Sequence, residues 1–173
     1  MGKLTVAMYL SLDGVFEAPG WTMPYWDDAL NNYQDEAQRA ATALLLGRRT
    51  YEMFAAVWPN SEDEGAAFMN AIPKYVPTQT LKVPTWNAQF MHGGAEREIA
   101  ELRKRHHLLV YGSGMLVRAL LGWGLVDEYR QMVFPVVVGE GRRLFDGEVK
   151  RCQFSKVISV VTPKGVLLNT YTR

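Results

Sequence analysis

A single cysteine, Cys152, is all the sulfhydryl chemistry that this 173-residue chain carries. An internal disulfide framework is therefore excluded, and the lone thiol fits a reducing compartment. The chain also lacks a charge excess of either sign: 19 basic and 18 acidic residues are scattered along it and leave a formal net charge of +1. With no broad positive field, binding to nucleic acid or to an anionic membrane is not expected. A local anion site needs only focused charge, so a few arginines beside backbone amides still suffice for one.

Long hydrophobic runs are missing too, and no stretch approaches the length of a membrane span. The opening segment from Lys3 to Ser11 is short, ends in a polar turn and lacks a small-residue cleavage pattern. It does not read as a signal peptide, and a cytoplasmic protein is expected. His92, His106 and His107 show no metal-ligand spacing with Cys152 or with acidic pairs, so no metal site is expected. None of the serines has a nucleophile-elbow context, which gives hydrolase chemistry little footing.

What is present is an ordinary globular composition, 48% hydrophobic and 21% charged. A chain of this length buries enough surface for one core, and residues 1–173 are expected to form one domain. Leu4, Val6, Met8 and Leu10 alternate with Thr5, Ala7, Tyr9 and Ser11, predicting a strand that ends at the turn Asp13-Gly14. Val15 to Trp26 is too irregular for a regular element and too aromatic for a solvated loop. From Asp27 the positions Leu30, Tyr33, Ala37, Ala40, Ala41 and Leu44 follow helical spacing, with Asp27 and Asp28 where the helix dipole favours acids.

Farther along, Ala43 to Leu46 reads as a buried strand, Thr50 to Val57 as a helix, and Ser61 with Glu64 as a capping box for a helix reaching Ala71. Lys74 to Thr80 and Ala88 to Met91 are predicted strands, and Glu96 to Arg105 an amphipathic helix. Leu108 to Tyr111 is a buried strand running into Gly112-Ser113-Gly114 and a helix from Met115 to Leu121. Tyr129 to Val138 is a long predicted strand, and Phe154 to Thr162 with Val166 to Tyr171 a hairpin across Pro163-Lys164-Gly165. Strands alternating with helices give an α/β class with a mostly parallel central sheet flanked by helices, and the hairpin adds antiparallel strands at one edge.

Two strand-to-helix turns can carry chemistry. Gly47-Arg48-Arg49-Thr50 opens a helix whose free amides and positive dipole lie beside two guanidinium groups. That combination suits a phosphate ester such as a 2′-phosphate; the alternative is that both arginines are solvated or pair with Glu52. Tyr111-Gly112-Ser113-Gly114 lets a ligand approach the backbone and turns amides toward a pyrophosphate, or is simply a tight connection. Open α/β sheets bind ligands beyond the carboxyl ends of their strands, so one turn could serve each phosphate end of a dinucleotide.

These motifs, with Ser11-Leu12-Asp13-Gly14, Leu46 to Glu52, Val110 to Ser113 and the long segment from Gly124 through Phe134-Pro135-Val136-Val137 to Gly139, resemble the dihydrofolate-reductase-like superfamily. Within it they are similar to the bacterial branch related to the reductase C-terminal domain of riboflavin-biosynthesis proteins. The resemblance implies a single-domain dihydrofolate-reductase-like fold, a homodimer joined through a sheet edge or the C-terminal strands, and NADPH as cofactor. It implies that Gly47, Arg48, Arg49 and Thr50 address the 2′-phosphate end, while Gly112, Ser113, Gly114, Met115 and Leu116 cradle the pyrophosphate. Where such proteins often carry Ser-Arg as a further phosphate contact, this chain has Thr78-Gln79, which leaves Thr78 as the remaining candidate there.

The resemblance also implies a carboxylate on the first helix to manage the proton that accompanies hydride transfer. The corresponding count before Gly47 lands near Asn31, which is no acid. Asp27, one turn earlier, is a candidate catalytic acid, or a helix-start acid held by the dipole. Asp13, at the end of the first strand, is the second candidate, or a turn former beside Gly14. Trp21, Met23, Tyr25 and Trp26 wall a pocket for a flat heterocyclic substrate, or pack over the core. The expected activity is an NADPH-dependent reductase acting on a C=N or C=O of a pterin, folate or aminopyrimidine. A non-catalytic NADPH-binding dimeric module, or a protein that sequesters drug-like ligands in the aromatic pocket, are the alternatives.

Overall fold

The computed structural model describes residues 2–173. The opening alternation becomes β1 (Leu4–Leu10), whose even-numbered residues face one side of the sheet while Ala7 and Tyr9 face the other. A 3-10 helix over Pro19–Tyr25 follows, then α1 (Asp28–Ala40). β2 (Ala43–Leu45), α2 (Arg48–Val57) and α3 (Ala66–Ala71) lead to β3 (Lys74–Pro77) and β4 (Ala88–Met91). α4 (Ala95–Arg105), β5 (Leu108–Val110), α5 (Gly114–Gly122) and β6 (Glu128–Val133) complete the α/β part, and β7 (Lys156–Val161) with β8 (Leu167–Thr172) form the terminal hairpin.

The sheet has eight strands in the order β4-β3-β2-β5-β1-β6-β8-β7. Every pairing from β4 through β6 is parallel, and β8 joins β6 antiparallel, as the alternation of strands with helices requires. The chain steps outward from β1 through β2 to β4 and then returns through α4 to insert β5 between β2 and β1. That return puts the carboxyl ends of β2, β5 and β1 side by side.

Helices cover both faces. α4 and α5 bring Ile99, Leu102, Val117 and Leu120 onto Leu4, Val6, Leu108 and Val110. On the opposite face α1, α2 and α3 bring Leu30, Ala37, Tyr51 and Met69 onto Ala7, Leu44, Leu109 and Phe134. Each such fully buried aliphatic side chain contributes about 2 kcal/mol, so these two layers hold the sheet between them.

Several expected boundaries shift for physical reasons. The strand expected over 129–138 ends at Val133, because Pro135 has no N–H and Val136 turns its amide back to the Phe134 carbonyl. The strand expected over 74–80 ends at Pro77, where the Thr78 hydroxyl accepts the amides of Thr80 and Leu81 and bends the chain. Ser61 and Glu64 do not cap a helix: Gly65 is the cap of α3, and Ser61 bonds the Asp63 amide and carboxylate instead. The stretch before α1 holds a 3-10 helix, tied locally by Thr22 Oγ1 donating to Pro19 O and Trp21 Nε1 donating to Glu17 O.

Lys74, at the start of β3, is wholly buried. Its ammonium donates to the Asn70 carbonyl at 3.3 Å and lies 4.0 Å from the centre of the Trp86 ring, with no carboxylate in ion-pair contact among the described residues. Burial lowers its pKa from 10.5 to about 8. Between those values the unfolded chain holds more protons at this position than the folded one, so stability rises with pH there. Denaturant midpoints measured from about pH 8 to 10.5 are expected to show this rise in the native chain relative to Lys74→Met, in which this contribution is removed.

Candidate functional site

The two strand-to-helix turns meet. β2 and β5 are neighbours, and the Gly47 amide donates to the Gly112 carbonyl at 2.8 Å. There is no space for a side chain at this contact. A Cβ on Gly47 would stand 2.4 Å from Ser113 Oγ and 2.6 Å from Ser113 N, and one on Gly112 would stand 2.9 Å from Thr50 Oγ1. Gly112 also has a φ of 137°, which side-chain-bearing residues rarely adopt.

Both helices open toward the same place. In α2 the first intrahelical bond runs from Tyr51 N to Gly47 O, which leaves the amides of Arg48, Arg49 and Thr50 ahead of the ladder. In α5 Ser113 is the cap, its hydroxyl accepts from Leu116 N at 3.4 Å, and the Gly114 and Met115 amides precede the first turn. Arg48 and Arg49 are exposed, and neither pairs with Glu52 or with any other carboxylate among the described residues. Arg48 reaches Thr80 Oγ1 at 3.4 Å, so the loop after β3 contributes Thr80. Thr78, the residue expected there, spends its hydroxyl on its own turn.

A third segment closes over the turns. The loop after β1 lays the Phe16 ring on α5, so close that a Cβ on Gly114 would stand 2.5 Å from it. Glu17 next to it accepts from the Arg142 amide and is ion-paired with the Arg142 side chain; the amide bond leads the lowering of its pKa, followed by the side-chain bond, with Arg49 adding the smallest pull. Met115 points outward and Leu116 inward. The assembled donor set, paired guanidinium groups and helix-start amides around a glycine contact, fits the phosphates of a nucleotide.

The two candidate acids have structural partners. Asp27 caps α1 through Leu30 N at 2.9 Å and accepts from Lys164 N at 3.3 Å, tying the helix start to the terminal hairpin. The capping bond leads the lowering of its pKa. Asp13 accepts from Ser11 Oγ and from the amides of Val138 and Gly139, and pairs with Arg143 at 3.1 Å. The Ser11 bond is the largest cause of a pKa held far below the usual carboxylate range. Both carboxylates are ionised at neutral pH and hold no proton to give, so the geometry favours the capping and turn-forming roles. Asn31, at the position counted for the helix acid, is exposed.

A model of the RibD C-terminal domain matches residues 2–168. The chain belongs to this family. Among curated relatives of this RibD C-terminal domain is the uncharacterized protein YyaP of Bacillus subtilis (strain 168), 24% identical over 98% of this chain and 94% of that protein. A solved structure of a Shewanella sp. PV-4 protein, described as a candidate riboflavin-biosynthesis protein, superposes with a TM-score of 0.79 at 24% identity, covering 100% of this chain and 99% of that one. Dihydrofolate reductase from Enterococcus faecalis, solved with NADP(H) and RAB-propyl, gives 0.64 at 17% identity, covering 99% of this chain and 96% of that one. These similarities bear out the expected superfamily and its reductase-type fold.

The segment before α1 forms an aromatic wall. Trp21 stands edge-on to Phe134 at 5.6 Å, Tyr25 to Phe134 at 6.0 Å, and Trp26 to Tyr9 at 5.9 Å. Trp21 and Trp26 therefore pack on the sheet face under α1, while Met23 is 70% exposed and does not join them. Tyr9, Tyr111 and Gln34 belong to this region and Phe16 and Thr80 to the turns, and sequence reading singled out none of them as a site residue. A signal for Gln34 existed: it lies on the buried stripe of α1, four residues after Leu30 and three before Ala37.

The glycine contact sets a direct test. Gly47→Ala is expected to cost about 1–3 kcal/mol of unfolding free energy in urea titrations, since Ser113 has to yield. Gly20→Ala, with nothing within 4 Å of the added methyl, is the matched neutral control.

Proposed function

We propose that this protein is an NADPH-dependent reductase acting on an electron-poor C=N or C=O of a small heterocycle of the pterin, folate or aminopyrimidine type. The observation that carries the reading is the contact of Gly47 with Gly112, which merges two helix openings and two unpaired arginines into one anion-binding surface. Relatives support the same chemistry: a Thermotoga maritima protein described as a deaminase and 5-amino-6-(5-phosphoribosylamino)uracil reductase matches with a TM-score of 0.69 at 16% identity, over 99% of this chain and 57% of that one.

Bound NADPH supplies the hydride. Arg48 and Arg49 hold the 2′-phosphate, with Thr50 and Thr80 beside them, and the amides of Gly114 and Met115 face the pyrophosphate. Phe16 and the aromatic wall exclude water from the reacting side. Because Asp13 and Asp27 are ionised and occupied, the proton that follows the hydride comes from solvent rather than from either carboxylate.

Loss of NADPH absorbance with aminopyrimidine, pterin and carbonyl substrates tests the activity, and no oxidation across those panels would sink it. Arg48→Ala combined with Arg49→Ala is expected to weaken NADPH about 10–100-fold in calorimetry and NADH by much less, since charge-assisted bonds to the extra phosphate are lost. Equal losses for both nucleotides would remove the 2′-phosphate assignment. The engagement of both acids favours one further reading, a non-catalytic NADPH-binding module, and tight NADPH binding without hydride transfer to any substrate would select it.

The cytoplasmic homodimer belongs to the same proposal. All six residues of β7 are exposed, and Val157, Ile158, Val160 and Val161 present apolar side chains along a strand whose outer edge has no partner among the described residues. An edge of this kind invites pairing with a second copy. Sedimentation velocity is expected to show two chains, and Ile158→Lys with Val160→Lys to yield monomers; a native monomer overturns the assembly.

A further inference from the structure

Residues 78–87 join β3 to β4 without regular structure. Near the start of this segment Thr80 meets Arg48, and near its end the Tyr51 hydroxyl of α2 donates to Thr85 O and accepts from Thr85 N, each at 3.1 Å. Lys82, Val83 and Pro84 between these points are exposed. The Trp86 indole then donates to Asn70 Oδ1 at 2.6 Å, and its ring covers the Lys74 ammonium at 4.0 Å while leaning on Tyr51 at 6.5 Å. The segment is a strap, pinned at both ends and free in the middle.

Pinning it down has two costs. Trp86 and Asn87 hold positive φ, 51° and 53°, a region uncommon for side-chain-bearing residues and strained for one as bulky as tryptophan. The second cost is Lys74, wholly buried under the Trp86 ring with the Asn70 carbonyl as its hydrogen-bond acceptor. β2 and β4 flank it with Leu44 and Ala88, α3 supplies Asn70 and the strap supplies Trp86; none of these is charged, and burial alone draws its pKa down to about 8. A buried cation without a counter-ion disfavours the closed strap, and both costs are relieved when Trp86 lifts and water reaches the ammonium.

We infer that residues 78–87 open and close beside the phosphate side of the site, and that Lys74 is a positioning residue whose charge sets the balance: neutral Lys74 holds the strap down, and protonated Lys74 favours its lifting. Lys74 touches no ligand group itself. It acts through Trp86, whose ring rests on Tyr51 three residues after Arg48, and through the strap that brings Thr80 to Arg48. With the strap closed Lys74 titrates near pH 8, and with it lifted near the ordinary 10.5, so closing releases a proton between those values and is favoured as pH rises. A nucleotide phosphate held by Arg48 and Thr80 keeps the strap shut. That consequence rests on the NADPH reading, whereas the motion does not.

Limited cleavage of the full chain by trypsin after Lys82 tests this, read by mass spectrometry and scaled at each pH to cleavage of a small peptide. Cutting there needs only an open strap, whereas cutting after Arg130, within β6, needs global unfolding. In the native protein the rate at Lys82 is expected to exceed that at Arg130 and to fall about tenfold between about pH 7.5 and 9.5. Lys74→Met, with no charge to bury, is expected to cut slowly at both pH values, and Lys74→Arg, charged at both, to cut fast at both. The native pH response stands as a test even if Lys74→Arg does not fold. Equal rates at Lys82 and Arg130, a native rate at Lys82 that ignores pH, or the same pH response in Lys74→Met overturns the inference. Saturating NADPH is expected to slow the native cut at Lys82 by about fivefold or more. A pH-dependent strap that NADPH does not slow would sink the cofactor reading instead, while NADPH protection without pH dependence would sink only this one.

Discussion

The contact between Gly47 and Gly112 is the constraint on which the rest of the site depends. It exists because the chain returns from β4 through α4 and places β5 between β2 and β1. The backbone bond across it, 2.8 Å from the Gly47 amide to the Gly112 carbonyl, leaves no volume for either residue to carry a side chain. Thr50 is held on Gly112 and Ser113 on Gly47, so two helices that begin far apart in the chain open as a pair. Rigid strands behind the turns keep that pairing fixed, which is the condition for a preorganised anion site.

The site has two sides with opposite electrostatics. Toward α2 it is exposed and cationic, with Arg48 and Arg49 free of ion pairs among the described residues. Toward α1 it is buried, aromatic and uncharged, with Gln34, Tyr9 and Tyr111 as its polar atoms. The two candidate acids work as staples: Asp13 fastens the end of β1 to the loop at Val138 and Gly139, and Asp27 fastens α1 to Lys164. Multiple amide donors stabilise each carboxylate, and that lowering of pKa is opposite to what a proton donor needs.

Much of this was legible along the chain. Period-two alternation in Leu4 to Leu10 and helical spacing from Leu30 to Ala40 gave element types, since both are local consequences of backbone geometry. The turns at Gly47 and Gly112 stood out because glycine between a strand and a helix lets the backbone be approached closely, by a ligand or by another part of the chain. Details were lost where one local signal met another. Ser61 and Glu64 had capping spacing, but the Asp63 amide and carboxylate claimed the Ser61 hydroxyl. Met23 shared the aromatic run yet points to solvent, because the 3-10 helix turns Trp21 inward and Met23 out.

Sequence alone determined the α/β class, the superfamily and the two glycine turns from strand to helix, which are carried by short segments of consecutive residues. Only the tertiary structure decided that the turns touch, that Asp13 and Asp27 are occupied, and that Thr80 replaces Thr78 beside Arg48. Whether a polar atom is satisfied depends on what lies across the sheet, and strand order, which sets those neighbours, is written in no single segment of the chain.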